Sequence, residues 1–162
     1  PLDGDSNRIL LPDYDAAHVI WGGTWRMPTE KDFMDLIVAC GGTYVKQDFS
    51  EEILSAECTP TPLPSANPGK GIYWVSAEQT YISDYTGVAG VLFCDGTSKL
   101  FFPAAGYGSY DTVIFAGSYG NYWSSTPNGS DYAYFLSFAS SDQHVGYSDR
   151  DFERSVRAVL AE

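Results

Sequence analysis

The sequence predicts a mixed α+β fold, in which two helices accompany small twisted antiparallel sheets joined by long loops. Thr29 and Asp32 stand three positions apart before an apolar run, which is the pattern of a helix start. Asp95-Gly96 and Asn128-Gly129 each separate two stretches rich in β-branched and aromatic residues, which is typical of hairpins. At 162 residues and 44% hydrophobic content, the chain is expected to form one domain with a buried core.

The domain is expected to cover residues 1–162, with residues 1–12 as a possible N-terminal extension. Acidic residues from Asp3 onward are spaced like the start of a calcium-binding loop. However, Arg8 stands where such a loop needs glycine, and Tyr14 where it needs glutamate. An acidic terminus is therefore favoured over a calcium site, and residues 8–11 could form a short strand.

Two helices are predicted in the first quarter of the chain. The first is expected near residues 14–20, where Asp13 can cap its start and Gly22-Gly23 can end it. The second is expected near residues 29–40. Its apolar face repeats at spacings of three and four, through Phe33, Leu36, Ile37 and Cys40.

The remainder of the chain reads as strands and loops. Residues 59–70 contain four prolines and are predicted to be a surface loop. Strands are predicted at residues 88–94, 97–102, 122–126, 132–138 and 154–160, the last of which closes the fold. In the fourth of these, one face is expected to carry Tyr132, Tyr134, Leu136 and Phe138.

Some aromatic and basic side chains are expected to serve the scaffold. Trp25 and Trp123 sit in dense apolar motifs and are predicted to be buried, and Phe135 is assigned to the core. Arg26 and Arg157 lie between apolar neighbours, so ion pairs or hydrogen bonds to loop carbonyls are the expected role.

The net charge of −12 argues against nucleic acid as a partner, because phosphate binding requires clustered lysine and arginine. It also disfavours an anionic membrane surface, and no apolar run reaches the roughly 20 residues that span a bilayer. Membrane insertion of this segment is therefore not expected.

The cysteines, Cys40, Cys58 and Cys94, fit no zinc-binding pattern. They are interpreted as small buried hydrophobic residues, with a Cys40–Cys58 disulfide and one free thiol as the alternative.

Catalytic groups are scarce. The histidines are His18 and His144, and no Gly-x-Ser-x-Gly sequence occurs, although a Ser118–His144 pair stays open. Acidic residues near the C-terminus could hold a hard cation with backbone carbonyls, but a solvated acidic rim is favoured; they are Asp142, Asp149, Asp151 and Glu153. The sequence therefore predicts no enzyme, no metal site and no cofactor.

The C-terminal third is instead dense in tyrosine, serine, asparagine, glycine and aspartate. Tyrosine gives a large rigid contact area, and the small polar residues give adaptable hydrogen bonds, so this composition is typical of recognition surfaces. The candidate ligand-binding residues are Tyr107, Ser109, Tyr110, Tyr119, Asn121, Tyr132, Asp142, His144, Tyr147, Asp149, Asp151 and Phe152.

Five short motifs follow one another along the chain, and three of them are rich in aromatic residues and glycine. They are Asp15-Ala-Ala17, Trp21-Gly-Gly-Thr-Trp-Arg-Met-Pro-Thr29, Phe101-Phe-Pro-Ala-Ala-Gly-Tyr107, Gly117-Ser-Tyr-Gly-Asn-Tyr-Trp-Ser-Ser-Thr126 and Arg154-Ser-Val-Arg-Ala-Val159. This series, with a helix ending at Cys40, resembles the Fibrobacter-type major paralogous domain family of Bacteroides-like bacteria over roughly residues 13–160.

The resemblance implies a C-type-lectin-like fold and a secreted or surface-displayed bacterial module. Relatives in that fold group include the variable proteins of diversity-generating retroelements, which bind partners through C-terminal strands and loops. The Glu-Pro-Asn and Trp-Asn-Asp sequences of calcium-dependent sugar sites are absent, and Trp123 is followed by Ser124-Ser125. The late cysteines of formylglycine-generating enzymes are absent too, since no cysteine follows Cys94.

Two alternative functions are therefore expected. The first is a non-catalytic extracellular module that binds a protein or glycan ligand through C-terminal loops, and diversification of those loops by a retroelement is one form of this expectation. The second is a structural domain of a cell-surface or pilus-like assembly, in which the same aromatic residues make subunit contacts.

Overall fold

A computed structural model describes residues 10–46 and 53–161, and it shows an α+β domain in which strands predominate. The helices are α1 (Ala16–Trp21) and α2 (Glu30–Ala39). The strands are β1 (Trp25–Arg26), β2 (Thr43–Lys46), β3 (Ile53–Cys58), β4 (Thr61–Pro62), β5 (Gly71–Val75), β6 (Gly90–Cys94), β7 (Lys99–Pro103), β8 (Tyr107–Ser109), β9 (Thr112–Ile114), β10 (Gly120–Asn128), β11 (Tyr132–Phe138), β12 (Gln143–Asp149) and β13 (Val159–Leu160).

Two larger sheets share one core. The first has the strand order β10-β11-β12-β3-β2 and is antiparallel throughout, and the second has the order β4-β5-β6-β7. Helix α2 packs against strands of the first sheet. The core that joins the helix to both sheets includes Phe33, Ile37, Phe93, Phe102, Leu136 and Phe138.

The start of α2 is set by the predicted local signal. The Thr29 hydroxyl accepts a hydrogen bond from the Asp32 backbone N–H at 3.1 Å, and Asp32 accepts one from the Thr29 backbone N–H at 2.7 Å. This reciprocal pair satisfies two backbone donors at the helix terminus. The predicted helix at residues 29–40 is confirmed.

Helix α1 is capped by Asp15 and not, as predicted, by Asp13. The Asp15 carboxylate accepts hydrogen bonds from the backbone N–H groups of Ala17 and Met27, at 2.9 and 2.8 Å. It therefore ties the helix start to the segment that follows β1. Asp13 lies in a preceding 3-10 turn, which moves the helix start to Ala16.

Both predicted hairpins form. The β6–β7 turn spans residues 95–98 and centres one residue later than predicted, because the Asp95 side chain accepts hydrogen bonds from the backbone N–H groups of Thr97 and Ser98 at 2.7 Å. In the β10–β11 hairpin, Asn128 pairs with Tyr132, and Gly129 takes a φ of 68° that suits glycine.

The predicted closing strand at residues 154–160 is wrong in extent. Of these residues, all of which the structure describes, only Val159–Leu160 form a strand, paired with β1. Ser155 instead exchanges backbone hydrogen bonds with β10: it donates to Asn121 at 3.1 Å and accepts from Trp123 at 3.0 Å. The chain then leaves the large sheet to reach β1.

The acidic stretch 140–151, for which no strand was predicted, contains strand β12 between β11 and β3. Its buried residues are Gln143 and Val145, which lie on the core side. The predicted loop at 59–70 likewise includes β4, which pairs in parallel with β5. Each of the two strands pairs with a strand close by in sequence, but both contain few apolar residues and so carry no strong local signal.

Scaffold predictions for single residues had mixed outcomes. Trp25 is 38% exposed, so its predicted burial is wrong; its Cα partner Leu160 is also exposed, in a two-stranded sheet at the periphery. Trp123 is half-buried. Arg26 makes the predicted ion pair, with its Nη1 2.6 Å from Asp32 Oδ2. Arg157 instead lies over the Phe102 ring at 5.3 Å.

All three cysteines are free, so the alternative Cys40–Cys58 disulfide is not formed. Cys40 and Cys94 are buried as predicted, and burial raises the pKa of Cys40 to about 11.

The start of the possible strand at 8–11 and the acidic segment from Asp3 lie outside the described residues. No helix in the described part of the chain is long and apolar enough to cross a membrane.

Candidate functional site

A short hairpin made by β8 and β9 carries the most exposed aromatic residue of the described chain. Tyr107 pairs with Ile114 and Ser109 with Thr112, so Tyr110 and Asp111 form a two-residue turn at the tip. Tyr110 is 97% exposed.

Gly108 anchors this hairpin to the rest of the domain. Its N–H donates to the Glu153 carbonyl at 2.7 Å, and Glu153 donates back at 3.2 Å. A Cβ on Gly108 would lie 2.7 Å from the Glu153 Cβ, which cannot move away without its backbone, so this position favours glycine. The close approach fixes β8 against the segment that precedes Arg154.

Two aromatic residues adopt left-handed backbone conformations, one in the turn of the hairpin and one directly after β9. The φ angles are 55° at Tyr110 and 58° at Phe115, and these are the positive φ angles found at described residues other than glycine. Such a conformation costs a residue with a side chain about 1–2 kcal/mol. Phe115 is also 54% exposed, so burial of its ring does not explain the conformation.

The rings beside the hairpin form a continuous aromatic cluster. Phe115 lies 6.0 Å from Tyr107 and 5.3 Å from Tyr119, measured between ring centroids. Phe152 contacts Tyr107 edge to face at 5.8 Å. These contacts hold half-exposed side chains in place, so the cluster forms a pre-arranged apolar surface.

Arg154 lies beneath this cluster, on the side of the five-stranded sheet that faces away from the main core. Its guanidinium carbon is 3.6 Å from the centre of the Phe135 ring and 4.5 Å from that of Trp123. Tyr107 and Phe152 surround it at 5.6 and 5.5 Å. Burial lowers the pKa of Arg154 to about 10, so the group stays charged at neutral pH.

Two neighbouring clefts open beside the hairpin. The larger, of about 390 Å³, is lined by Ser109, Tyr110, Asp149, Asp151, Phe152 and Glu153. The smaller, of about 230 Å³, has Tyr107, Gly108, Val113, Glu153 and Arg154 among its walls. One cleft is therefore mainly acidic and aromatic, and the other contains a cation.

The structure brings seven of the twelve predicted site residues into this region. They are Tyr107, Ser109, Tyr110, Tyr119, Asp149, Asp151 and Phe152. As candidate ligand-binding residues, Tyr107 and Phe152 were expected to be exposed. In the structure both are half-buried within the cluster. We call these seven residues, with Phe115, the hairpin surface.

The other five predicted residues lie elsewhere. Tyr132 and Tyr147 contact each other edge to face at 5.9 Å and remain exposed. Asp142 and His144 form a pair at 2.8 Å at the opposite end of β12 from Asp149. Because a strand rises about 3.4 Å per residue, His144 and Asp149 are about 17 Å apart.

Asn121 was expected to be exposed, but it is buried. Its side-chain Oδ1 accepts a hydrogen bond from Arg154 Nη1 at 3.0 Å. Its role in the structure is thus to orient the guanidinium. A single polar residue inside a strand gives no local sign of which face it occupies.

Sequence reasoning missed Phe115 and Arg154. Phe115 follows a short strand and looked like an ordinary apolar residue. Arg154 had a detectable signal, because Arg150 is the only other basic residue between positions 100 and 156, a stretch rich in aspartate and tyrosine. An isolated cation in an acidic and aromatic segment indicates a specific structural or binding role for that side chain.

The groups considered for catalysis are spread over the domain. His144 bonds to Asp142, and Ser118 is exposed in the turn before β10, with no hydrogen bond between Ser118 and His144 in the described regions. The His18 Nδ1 atom lies 3.3 Å from the Trp25 carbonyl oxygen. Across residues 10–46 and 53–161, no group of three or more histidine, cysteine or acidic residues is placed to hold a metal ion.

Comparison with known proteins gives one match. A protein-family model described as a domain of unknown function, DUF8237, matches residues 66–159. None of the curated proteins and none of the solved structures matches the chain. The matched region contains the whole hairpin surface and Arg154.

Proposed function

We propose that this chain, which belongs to the DUF8237 family of domains of unknown function, is a non-catalytic recognition module. It binds a macromolecular ligand, a protein or a glycan, through the hairpin surface. The proposal narrows the set of twelve predicted ligand-binding residues, because these residues fall into separate groups in the structure.

The conformation and exposure of Tyr110 carry this proposal. The first central position of a two-residue hairpin turn favours glycine when φ is positive, yet a tyrosine stands here with its side chain almost wholly in solvent. The ring gains no burial that would offset the backbone cost. Strained residues of this kind cluster at functional sites, including ligand clamps, where the strain is part of the mechanism.

The neighbourhood of Tyr110 suits binding. Its side chain lines the 390 Å³ cleft together with Phe152 and three carboxylates, so aromatic and polar contacts are available side by side. Tyrosine rings lose little conformational entropy when they bind, and the aromatic cluster is already held by its internal contacts.

We further propose that the fold is C-type-lectin-like and that the module is secreted or displayed on a bacterial cell surface. The β1–β13 pairing supports this, because Arg26 and Val159, its Cα partners, come from two of the motifs that carry the resemblance to the Fibrobacter-type family. Diversification by a retroelement would act on the hairpin surface in this account.

The second candidate is a structural domain of a surface assembly. Helix α1 favours it, since Val19, Ile20 and Trp21 are each more than half exposed and Trp21 contacts Trp25. These exposed apolar residues are distinct from the hairpin surface. Concentration-dependent self-association that Ile20→Asp abolishes would support the second candidate.

A glycan and surface-protein array tests the first candidate. The purified domain is screened beside Tyr110→Ala and beside Tyr81→Ala, a matched control because Tyr81 is 54% exposed and does not belong to the hairpin surface. Binding that is lost in Tyr110→Ala and retained in Tyr81→Ala supports the proposal. Equal binding by all three proteins contradicts it.

A further inference from the structure

Arg154 is a half-buried cation that no acidic residue in the described part of the chain neutralises. No described carboxylate forms an ion pair with it, in a protein whose net charge is −12. Nη1 donates to Asn121, but Nε is buried and has no hydrogen-bond partner among the described residues. A buried donor without a partner destabilises a fold, so this arrangement calls for an explanation.

Packing explains the arginine only in part. Cation–π attraction to Phe135 and Trp123 favours a cation at this position, but it provides no acceptor for the buried Nε–H group. A guanidinium can donate two parallel hydrogen bonds to a carboxylate through its Nη groups. The surrounding rings and Asn121 hold it in position before any ligand arrives.

The 230 Å³ cleft gives a ligand access to this group. Arg154 forms one wall, with Tyr107, Gly108 and Val113 on the others. Since a water molecule occupies about 30 Å³ in the liquid, the space accommodates the end of an aspartate or glutamate side chain. Glu153 is at the rim, where its carboxylate lies against Gly108 and forms no ion pair with Arg154.

The surrounding charge limits what can bind. Asp111, Asp149, Asp151 and Glu153 are all exposed and belong to the hairpin, to the end of β12 or to the segment before Arg154. A polymer carrying many anionic groups is repelled by this rim. A protein surface that presents one acidic side chain among basic residues is complementary both to the cation and to the rim.

We propose that the Arg154 cleft binds a single carboxylate, that of an aspartate or glutamate side chain on a protein partner. This inference rests on the proposed function and specifies the ligand as a protein. In this proposal, the hairpin surface provides most of the contact area with the partner, and Arg154 recognises one charged group on it.

A titration of the intact domain with small probes tests the inference. N-acetyl-glutamate amide provides the carboxylate, N-acetyl-glutamine amide is its neutral isostere, and glucuronate represents an acidic sugar. The readout is the NMR signal of the Arg154 Nε–H group. We expect a saturable shift with the glutamate probe, with a dissociation constant on the order of 10 mM as befits so small a ligand, and none with the glutamine probe.

Variants separate recognition from packing. Arg154→Lys keeps the charge but loses the planar pair of donors, and we expect at least a fivefold weaker affinity, followed through the backbone signals of Gly108. Arg150→Lys is the matched control and should bind like wild type, because Arg150 donates to the carbonyls of Tyr132 and Gly129, outside the cleft.

Three results would overturn the inference: no saturable shift in the wild-type protein, equal shifts with the glutamate and glutamine probes, or tighter binding of glucuronate than of the glutamate probe. The titration needs only the wild-type protein, so a variant that fails to fold does not block it. Loss of array binding in Tyr110→Ala together with a failed titration would refute this inference alone and leave the proposed function standing.

Discussion

The guanidinium carbon of Arg154 lies 3.6 Å from the centre of the Phe135 ring. A cation from the C-terminal segment thus makes a cation–π contact with a residue of β11. This contact joins the scaffold to the candidate site. Phe135 is buried on the side of the sheet that faces away from the main core, where its ring also meets Trp123 edge to face at 5.9 Å.

Phe135→Ala is expected to destabilise the domain by about 3 kcal/mol, since removing a buried phenylalanine typically costs 3–5 kcal/mol and this ring lies near the surface. Urea denaturation followed by circular dichroism measures the change. Tyr147→Ala, at a position 61% exposed on the neighbouring strand, should change the stability by less than about 1 kcal/mol. Equal losses in both variants would show that the packing assigned to Phe135 is wrong.

Gln143→Met is expected to stabilise the domain by about 1–2 kcal/mol. Gln143 is 0% exposed, and neither its Nε2 nor its Oε1 has a hydrogen-bond partner among the described residues. Methionine has a similar shape and leaves no buried polar group unsatisfied. Asn121→Leu is the contrasting variant: it removes the acceptor for Arg154 and should cost about 1–3 kcal/mol. A destabilised Gln143→Met would contradict the assigned environment.

Tyr110→Gly is expected to stabilise the fold by up to about 1 kcal/mol while it abolishes ligand binding. Glycine accepts a positive φ without steric cost, although it loses more chain entropy on folding. Tyr132→Gly, placed within a strand, should destabilise instead. A thermal melt of each variant checks the sign, and a less stable Tyr110→Gly would remove the argument from strain.

The Asp32 carboxylate is expected to contribute to acid sensitivity. Burial alone would raise its pKa, but hydrogen bonds from Arg26 and Thr29 outweigh burial and hold the pKa below the ordinary value of 3.8. A group with a depressed folded-state pKa stabilises the fold above its unfolded pKa and loses that effect as the pH falls through the folded pKa.

The wild-type protein should therefore exceed Asp32→Asn in stability most clearly above about pH 5, and the difference should shrink towards pH 2. Denaturant unfolding across this range gives the difference directly. Asp84→Asn, an exposed acidic position, is the control. A difference that grows as the pH falls would contradict the sign.

Chelator treatment is expected to leave the melting temperature unchanged, because the described residues contain no cluster of three or more metal-ligating side chains. Differential scanning calorimetry with and without EDTA measures this. A fall of several degrees would show that the acidic residues around Asp149 hold a stabilising cation.

Local signals allowed correct prediction of several elements. The capping pair at Thr29 and Asp32 predicted α2, and the glycines at 96 and 129 predicted two hairpins. These features depend on residues close together in the chain. Strand β12 was missed although it pairs with the neighbouring β11, because its buried residues are Gln143 and Val145 and the polar glutamine interrupts the apolar alternation.

The candidate site was predictable only in part, because composition shows which residue types are present but not which of them share a surface. Composition pointed to the tyrosines of the hairpin, but it could not show that His144 and Asp149 lie at opposite ends of one strand. Nor could it show that Asn121 faces inwards to hold Arg154. Which residues share a surface depends on strand register, which a single sequence specifies only weakly.

The affinity of Tyr110→Ala for a ligand recovered from the array tests the central claim most directly. Binding energy at such surfaces concentrates in a few aromatic residues, so we predict a loss of at least about 2 kcal/mol, roughly 30-fold in Kd, with an unchanged melting temperature. Tyr107→Ala and Tyr119→Ala should weaken binding as well, whereas Tyr81→Ala should bind like wild type. Wild-type affinity in Tyr110→Ala, or a loss explained by unfolding of the variant, would contradict the account.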